Sequence, residues 1–144
     1  MPVVLRGVDE VLGAVGRHFG YSDGLVVGVE RVAQFESATG AAGAAGAAGD
    51  DHAFLPANLI LSLSNFFLPQ IVAVEGVSAG INYGADQVRF LQPAPAGSTL
   101  RAGAQLLAAH PIEGGVQTTI RITLEVVGAE APVCVIDSLS RFLA

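Results

Sequence analysis

The chain contains no lysine and a single cysteine, and only 14% of its 144 residues are charged. Its basic groups are therefore seven arginines, scattered from Arg6 to Arg141, against a formal net charge of −6. A nucleic-acid footprint needs clustered basic residues, so that class of partner is excluded. One cysteine excludes an internal disulfide. Cys134 sits in an apolar run, where it reads as a small buried hydrophobe and fits a reducing cytoplasm. The N-terminus lacks a basic start followed by a long apolar run, so no signal peptide is expected and the expected location is cytoplasmic.

A second scarcity is local. Residues 41–49 are three Ala-Ala-Gly triplets, with no side chain larger than a methyl group. No nucleophile, acid, base or metal ligand can come from them. Glycine raises backbone entropy and alanine adds little to bury, so the tract reads as a low-complexity segment. Asp50, Asp51 and His52 follow it directly.

What is present is apolar. Hydrophobic residues make up 51% of the chain, which at this length gives one domain, residues 1–144, able to bury a single core. So much apolar surface with so little charge implies association with a second subunit. Residues 53–74 carry no charge over a length able to span a membrane. Pro56, Asn58, Ser62, Ser64, Asn65, Pro69 and Gln70 interrupt that stretch, and no basic residue flanks it. The expected state is a helix inside a soluble fold, with no membrane partner.

Residues 8–15 have weak helical spacing, residues 25–29 form a short β-branched run, and residues 30–38 fit a helix with Val32, Ala33 and Phe35 on one side. Residues 56–72 form the main helix candidate, with Pro56 near its first turn, where a missing N–H is harmless. Apolar residues surround that helix, so cover on nearly every side is expected. Residues 77–83 and 87–91 read as two short strands. Residues 116–127 alternate apolar Val116, Thr118, Ile120, Ile122 and Leu124 with polar neighbours, and residues 100–108 and 133–142 alternate more loosely. Glu113-Gly114-Gly115 supplies a turn. Strands joined by short turns argue for an antiparallel sheet. With one apolar helix in its concave face, the expected class is α+β with a hot-dog arrangement.

Gly80-Ile81-Asn82-Tyr83-Gly84, Asp86, Val88-Arg89-Phe90 and Pro93-Ala94-Pro95-Ala96-Gly97-Ser98 resemble the segment after the central helix of MaoC-like hot-dog proteins. The likeness is closest to the nodulation protein N-like, (R)-specific enoyl-CoA hydratase branch. Tyr21-Ser22-Asp23, Ala38-Thr39-Gly40 and Leu59-Ile60-Leu61-Ser62-Leu63 agree with it, so the resemblance runs over nearly the whole chain. It implies a homodimer or a heterodimer with a related subunit. It also implies a thioester of coenzyme A or acyl carrier protein, and reversible addition of water to a 2-enoyl thioester, with no cofactor and no metal. That reaction needs a carboxylate and an imidazole sharing one water, and donors for the thioester oxygen.

The family places its Asp directly after Ala-Thr-Gly, its His five residues later, and a His-Gly pair at the entry to the central helix. Here those positions hold Ala41, Gly46 when no gap is opened, and Pro56-Ala57, and the segment between Gly40 and the helix is shorter than usual. The usual dyad is absent from its usual place, which implies an acyl-thioester-binding protein with reduced or no hydration activity, or a partner subunit. The alternative is an active hydratase or dehydratase using Asp50 or Asp51 with His52. The bland reading of the same trio is a solvated loop whose acids favour the N-terminus of the next helix. No other His or Cys has ligand spacing to it, so no metal site is expected.

Catalytic candidates are therefore Asp51 and His52, and substrate-binding candidates are Ala57 and Asn58 at the helix start and Asn82 and Gly84 in the tunnel wall. Gly84 also has a structural reading, a strand end open to close backbone approach. His18 and His110 read as surface or loop residues, and Asp86 with Arg89 as a structural ion pair. Ser62 and Ser64 are expected to bond back to helix carbonyls. Asn65 is expected to be an amide that needs partners once buried, either behind the site or at the dimer seam.

Overall fold

The computed structural model describes residues 1–40 and 54–144. The chain opens with β1 (Val3–Arg6) and α1 (Gly7–Gly13), then β2 (His18–Tyr21), β3 (Leu25–Val26) and α2 (Val29–Thr39). After the tract come α3 (Ala57–Ser62), α4 (Ser64–Ile71) and β4 (Val72–Glu75). Four long strands finish it: β5 (Ala79–Phe90), β6 (Thr99–Ile112), β7 (Gly115–Val126) and β8 (Cys134–Leu143).

The main sheet has the order β2-β6-β7-β8-β5, with β3 also paired to β6, and every pairing in it is antiparallel. β1 and β4 form a separate parallel pair. The alternation read in β7 holds: Val116, Thr118, Ile120, Ile122 and Leu124 are buried, and their neighbours face outward. α4 packs against β2, β6 and β7, and α3 against β8. The inward row of β6 is Leu100, Ala102, Ala104 and Leu106, whose two alanines leave volume for large helix side chains such as Phe67, itself wholly buried. A helical layer lying in an antiparallel sheet is the hot-dog arrangement expected from the sequence.

Four expectations need correction. The central helix is two segments that meet at Leu63, and it ends at Ile71, because Val72 turns to extended backbone and pairs with Val3. It is covered on one side only: Leu59, Ile60, Leu63, Phe67 and Ile71 are buried, whereas Asn65, Phe66 and Pro69 are exposed. Residues 77–83 and 87–91 are parts of one strand, β5, which absorbs two irregularities, between Asn82 and Gly84 and between Ala85 and Gln87. In α2, Ala33 is exposed, and Val32 with half-buried Phe35 supplies the inward side.

Two ends of the helical layer are fixed locally. Gly40 caps α2 in the left-handed conformation, φ 72°, and donates its N–H to Glu36 O at 2.8 Å. A glycine is favoured there because a Cβ would be strained, so Ala38-Thr39-Gly40 reads physically as a helix stop. On the far side of the tract, Phe54 bridges Pro95, and the Leu55 N–H donates to Ala94 O at 2.8 Å, fixing the entry to α3.

Candidate functional site

Between α3, α4 and β4 on one side and β5, β7 and β8 on the other lies a cavity of about 610 Å³. That volume falls within the range of small-molecule sites, about 300–1,000 Å³. The helical wall includes Leu61, Asn65, Leu68 and Pro69, and the sheet wall includes Val88, Ile122, Ile136 and Phe142. None of the described residues lining it is Asp, Glu, His, Cys, Lys, Arg or Tyr. The polar groups that do line it are uncharged: Ser62, Ser64, Asn65, Asn82, Ser138 and Ser140.

Asn82 and Gly84 both reach this wall. The Gly84 N–H donates to Asn82 Oδ1 at 3.1 Å, and Gly84 has φ 143°, a conformation a side chain would strain. Tyr83, between them, is left out of the β5–β8 register and stacks on Arg141, whose guanidinium lies 3.7 Å from the ring centroid. The bulge therefore aims the Asn82 amide and the Gly84 backbone at the cavity while Tyr83 covers an arginine. Gly80 makes room for Phe142: a Cβ there would come within 3.2 Å of the ring.

Ala57 and Asn58 stand exposed in the first turn of α3, outside the cavity lining. Ser62 donates to Asn58 O at 2.8 Å, the back-bond expected of it, while Ser64 lines the cavity. Asn65 is exposed in the single chain and also lines the cavity. Asp50, Asp51 and His52 lie outside the described residues, as do Ala41 and Gly46.

His18 and His110 are strand residues, both exposed; His18 Nδ1 accepts the Gly20 N–H at 3.0 Å. Among the described residues no ion pair joins Asp86 to Arg89. Arg89 instead lies near Asp137, whose carboxylate Arg121 binds at two points. Among the described residues no three His, Cys, Asp or Glu side chains are grouped to hold a metal ion. Nor is any helix among them long and apolar enough to cross a membrane.

Ser138 and Ser140 were missed in the sequence. The signal was there: Ile136, Ser138, Ser140 and Phe142 alternate along β8, so both serines share the inward face with two apolar residues.

The 3-hydroxyacyl-thioester dehydratase Z of Mycobacterium tuberculosis is 35% identical to this chain over 151 aligned residues, spanning 96% of the chain and 97% of the relative. The chain belongs to the MaoC-like hot-dog dehydratase and hydratase family. No protein-family model matches it. The MaoC-like dehydratase from Rhodospirillum rubrum superposes with a TM-score of 0.66 at 16% identity, covering 91% of this chain and 94% of that one. A subunit of the C-terminally truncated HadBC complex, a (3R)-hydroxyacyl-ACP dehydratase from Mycobacterium tuberculosis, superposes with a TM-score of 0.60 at 19% identity, covering 91% and 97%. These two likenesses establish the MaoC-like fold in this chain. An alignment of 151 positions against a chain of 144 residues leaves at least seven positions of the mycobacterial relative opposite gaps in this MaoC-like chain.

Proposed function

We propose that this protein binds the acyl part of a thioester in the cavity beneath α3 and α4, with little or no hydration activity of its own, and works as one subunit of a pair. The observation that supports this reading is the cavity wall: it is largely apolar with an uncharged polar band, and its described residues include no acid or base. Addition of water to an enoyl thioester needs a general acid–base pair, and losing such a pair removes a factor of about 10²–10⁴ in rate. In the ungapped register that the resemblance implies, Ala41 and Gly46 fall where the family carries its Asp and His.

In this reading the N–H groups of Ala57 and Asn58 donate to the thioester oxygen, and Asn82 and Gly84 line the acyl path. The pair is a homodimer or a heterodimer with a related hot-dog subunit. The HadBC complex is a two-protein dehydratase of the same fold. The edge strand β5 supports a paired state, because its exposed Ile81, Tyr83, Val88 and Phe90 leave an apolar rim on the isolated chain. The carrier is coenzyme A or acyl carrier protein, which share the thioester and the pantetheine arm.

The test is hydration of crotonyl-CoA, followed as loss of the conjugated thioester absorbance, beside calorimetric titration with acyl-CoA. Binding without measurable turnover is expected. Robust turnover abolished by His52→Ala would overturn this in favour of a dyad built from Asp50 or Asp51 with His52. Absence of binding to coenzyme A and carrier-protein thioesters alike would leave a purely structural subunit.

A further inference from the structure

The cavity floor is ordered in rows. β8 runs along it, flanked by β7 and β5, and each inward residue of β8 has one partner on either side. Ile136 pairs with Ile122 and Val88, Ser138 with Ile120 and Ala85, Ser140 with Thr118 and Asn82, and Phe142 with Val116 and Gly80. The first row is apolar and the last is closed by the Phe142 ring. Between them the floor is polar at Ser138, Ser140 and Asn82.

Most of that polarity is unspent. Thr118 donates to the Ser140 carbonyl at 3.4 Å, and Asn82 Oδ1 accepts from Gly84, which leaves the Asn82 amide N–H pair. The hydroxyls of Ser138 and Ser140 have no hydrogen-bond partner among the described residues, and neither do the side chains of Ser64 and Asn65 on the opposite wall. No partnerless polar side-chain atom is sealed away among the described residues, so these groups, on residues that line the cavity, are accessible to solvent. Inward positions of a strand beneath a helix are ordinarily apolar, as Ile122, Leu124 and Ile136 are here. A hydrocarbon chain laid across this band would strip water from free hydroxyl and amide groups and give nothing back.

We infer that the cavity selects an acyl group bearing a second oxygen function, a hydroxyl or a carbonyl, further along its chain than the 3-position, over a plain hydrocarbon chain. This inference rests on the proposed acyl-thioester binding and specifies which acyl group is bound. Ser140 and Asn82, cross-strand partners, supply donor and acceptor at the centre of the band, with Ser138 one row away. The apolar row at Ile136 accepts methylene groups on one side of the oxygen, and the Phe142 ring bounds the other. A site built to hydrogen-bond a hydroxyl discriminates strongly against the analogue that lacks it, because its own polar groups are left unpaired.

The experiment is calorimetric titration of the full chain with dodecanoyl-CoA and with hydroxydodecanoyl-CoA isomers whose hydroxyl steps from mid-chain to the ω carbon. At least one isomer is expected to bind about tenfold more tightly than the plain chain, the scale of one or two net hydrogen bonds. The double substitution Ser138→Ala, Ser140→Ala is expected to erase that preference, chiefly by tightening the plain chain. Ser140→Thr, which keeps a hydroxyl on a strand-compatible side chain, is expected to retain it. Plain-chain binding as tight as every isomer overturns the inference while leaving acyl-thioester binding intact. A preference that survives the double substitution, or a double variant whose only change is in sedimentation, overturns it too. Failure of every thioester to bind removes the underlying functional reading together with this one.

Discussion

Arg121 and Asp137 meet across the β7–β8 pairing through two parallel hydrogen bonds, Nε to Oδ1 at 2.8 Å and Nη2 to Oδ2 at 3.0 Å. The carboxylate is 10% exposed and the guanidinium 45%, so the pair stands with its acid buried and its base in water. Two-point contact fixes both side chains and the register between their strands.

The pair sets a pH dependence. The hydrogen bond from Arg121 holds the Asp137 carboxyl below its ordinary value of 3.8; burial opposes this, and the charges of Arg121 and Arg89 reinforce it. A carboxyl whose folded pKa is lowered stabilises the fold fully above its unfolded pKa, and that contribution is lost as pH falls through the folded value. Asp137→Asn is therefore expected to cost about 1 kcal/mol at neutral pH, discounted for the exposed arginine. In urea denaturation, the gap between variant and parent should narrow once the pH drops below 3.8.

Cys134 makes the opposite case. It is wholly buried, and burial pushes its thiol up from 9.0 to about 11. The thiol is neutral in the folded chain at neutral pH, so a disulfide reagent is expected to label it only as fast as the fold opens. Between pH 9 and about 11 the unfolded chain ionises first, so this group lowers stability as pH rises through that window. Labelling at full speed under native conditions would show that the thiol is accessible.

The fold was legible because its strands carry period-two patterns that nothing local contradicts, β7 most plainly. The boundary at Ile71 was not, because Val72, Ala73 and Val74 continue an apolar run, and composition alone does not distinguish helix from strand there. β5 was read as two strands because Gly84 and Asp86 interrupt the pattern, and a bulged strand tolerates both. Of the site, Asn82 and Gly84 could be named from the resemblance. Ser138 and Ser140 lie outside the segments that carry the resemblance; their alternation with Ile136 and Phe142 puts them on one face, but only the opposite wall makes that face a cavity floor. Asp51 and His52 have no described surroundings against which to weigh them.

Two adjacent glycines at the β6–β7 turn separate conformational strain from steric overlap. Gly114 has φ 78° with open space where a Cβ would stand, so Gly114→Ala is expected to cost about 1–2 kcal/mol through backbone conformation alone. At Gly115 a Cβ would overlap the carbonyl oxygen of Phe142, a backbone atom that cannot rotate away. Gly115→Ala should therefore cost more, about 3 kcal/mol or above, by forcing β7 and β8 apart. Equal losses at the two positions in thermal denaturation would show that the β7–β8 pairing yields easily at this end.

The rim of β5 carries the last prediction. This strand has β8 on one side and no strand on the other among the described residues. Phe90 is 45% exposed, and Phe66, on the uncovered side of α4, is 49% exposed. An edge of this length with unpaired backbone groups and apolar side chains is a template for pairing with another chain. A stable partner interface buries about 1,200–2,000 Å² in total, which a twelve-residue strand and an exposed helix face can supply together. The purified chain is thus expected to sediment as a dimer at micromolar concentration. Phe90→Asp and Phe66→Asp should each shift it toward monomer, because pairing would then bury an unpaired carboxylate. A chain that sediments as a monomer, with both variants indistinguishable from it, would overturn pairing between copies through β5.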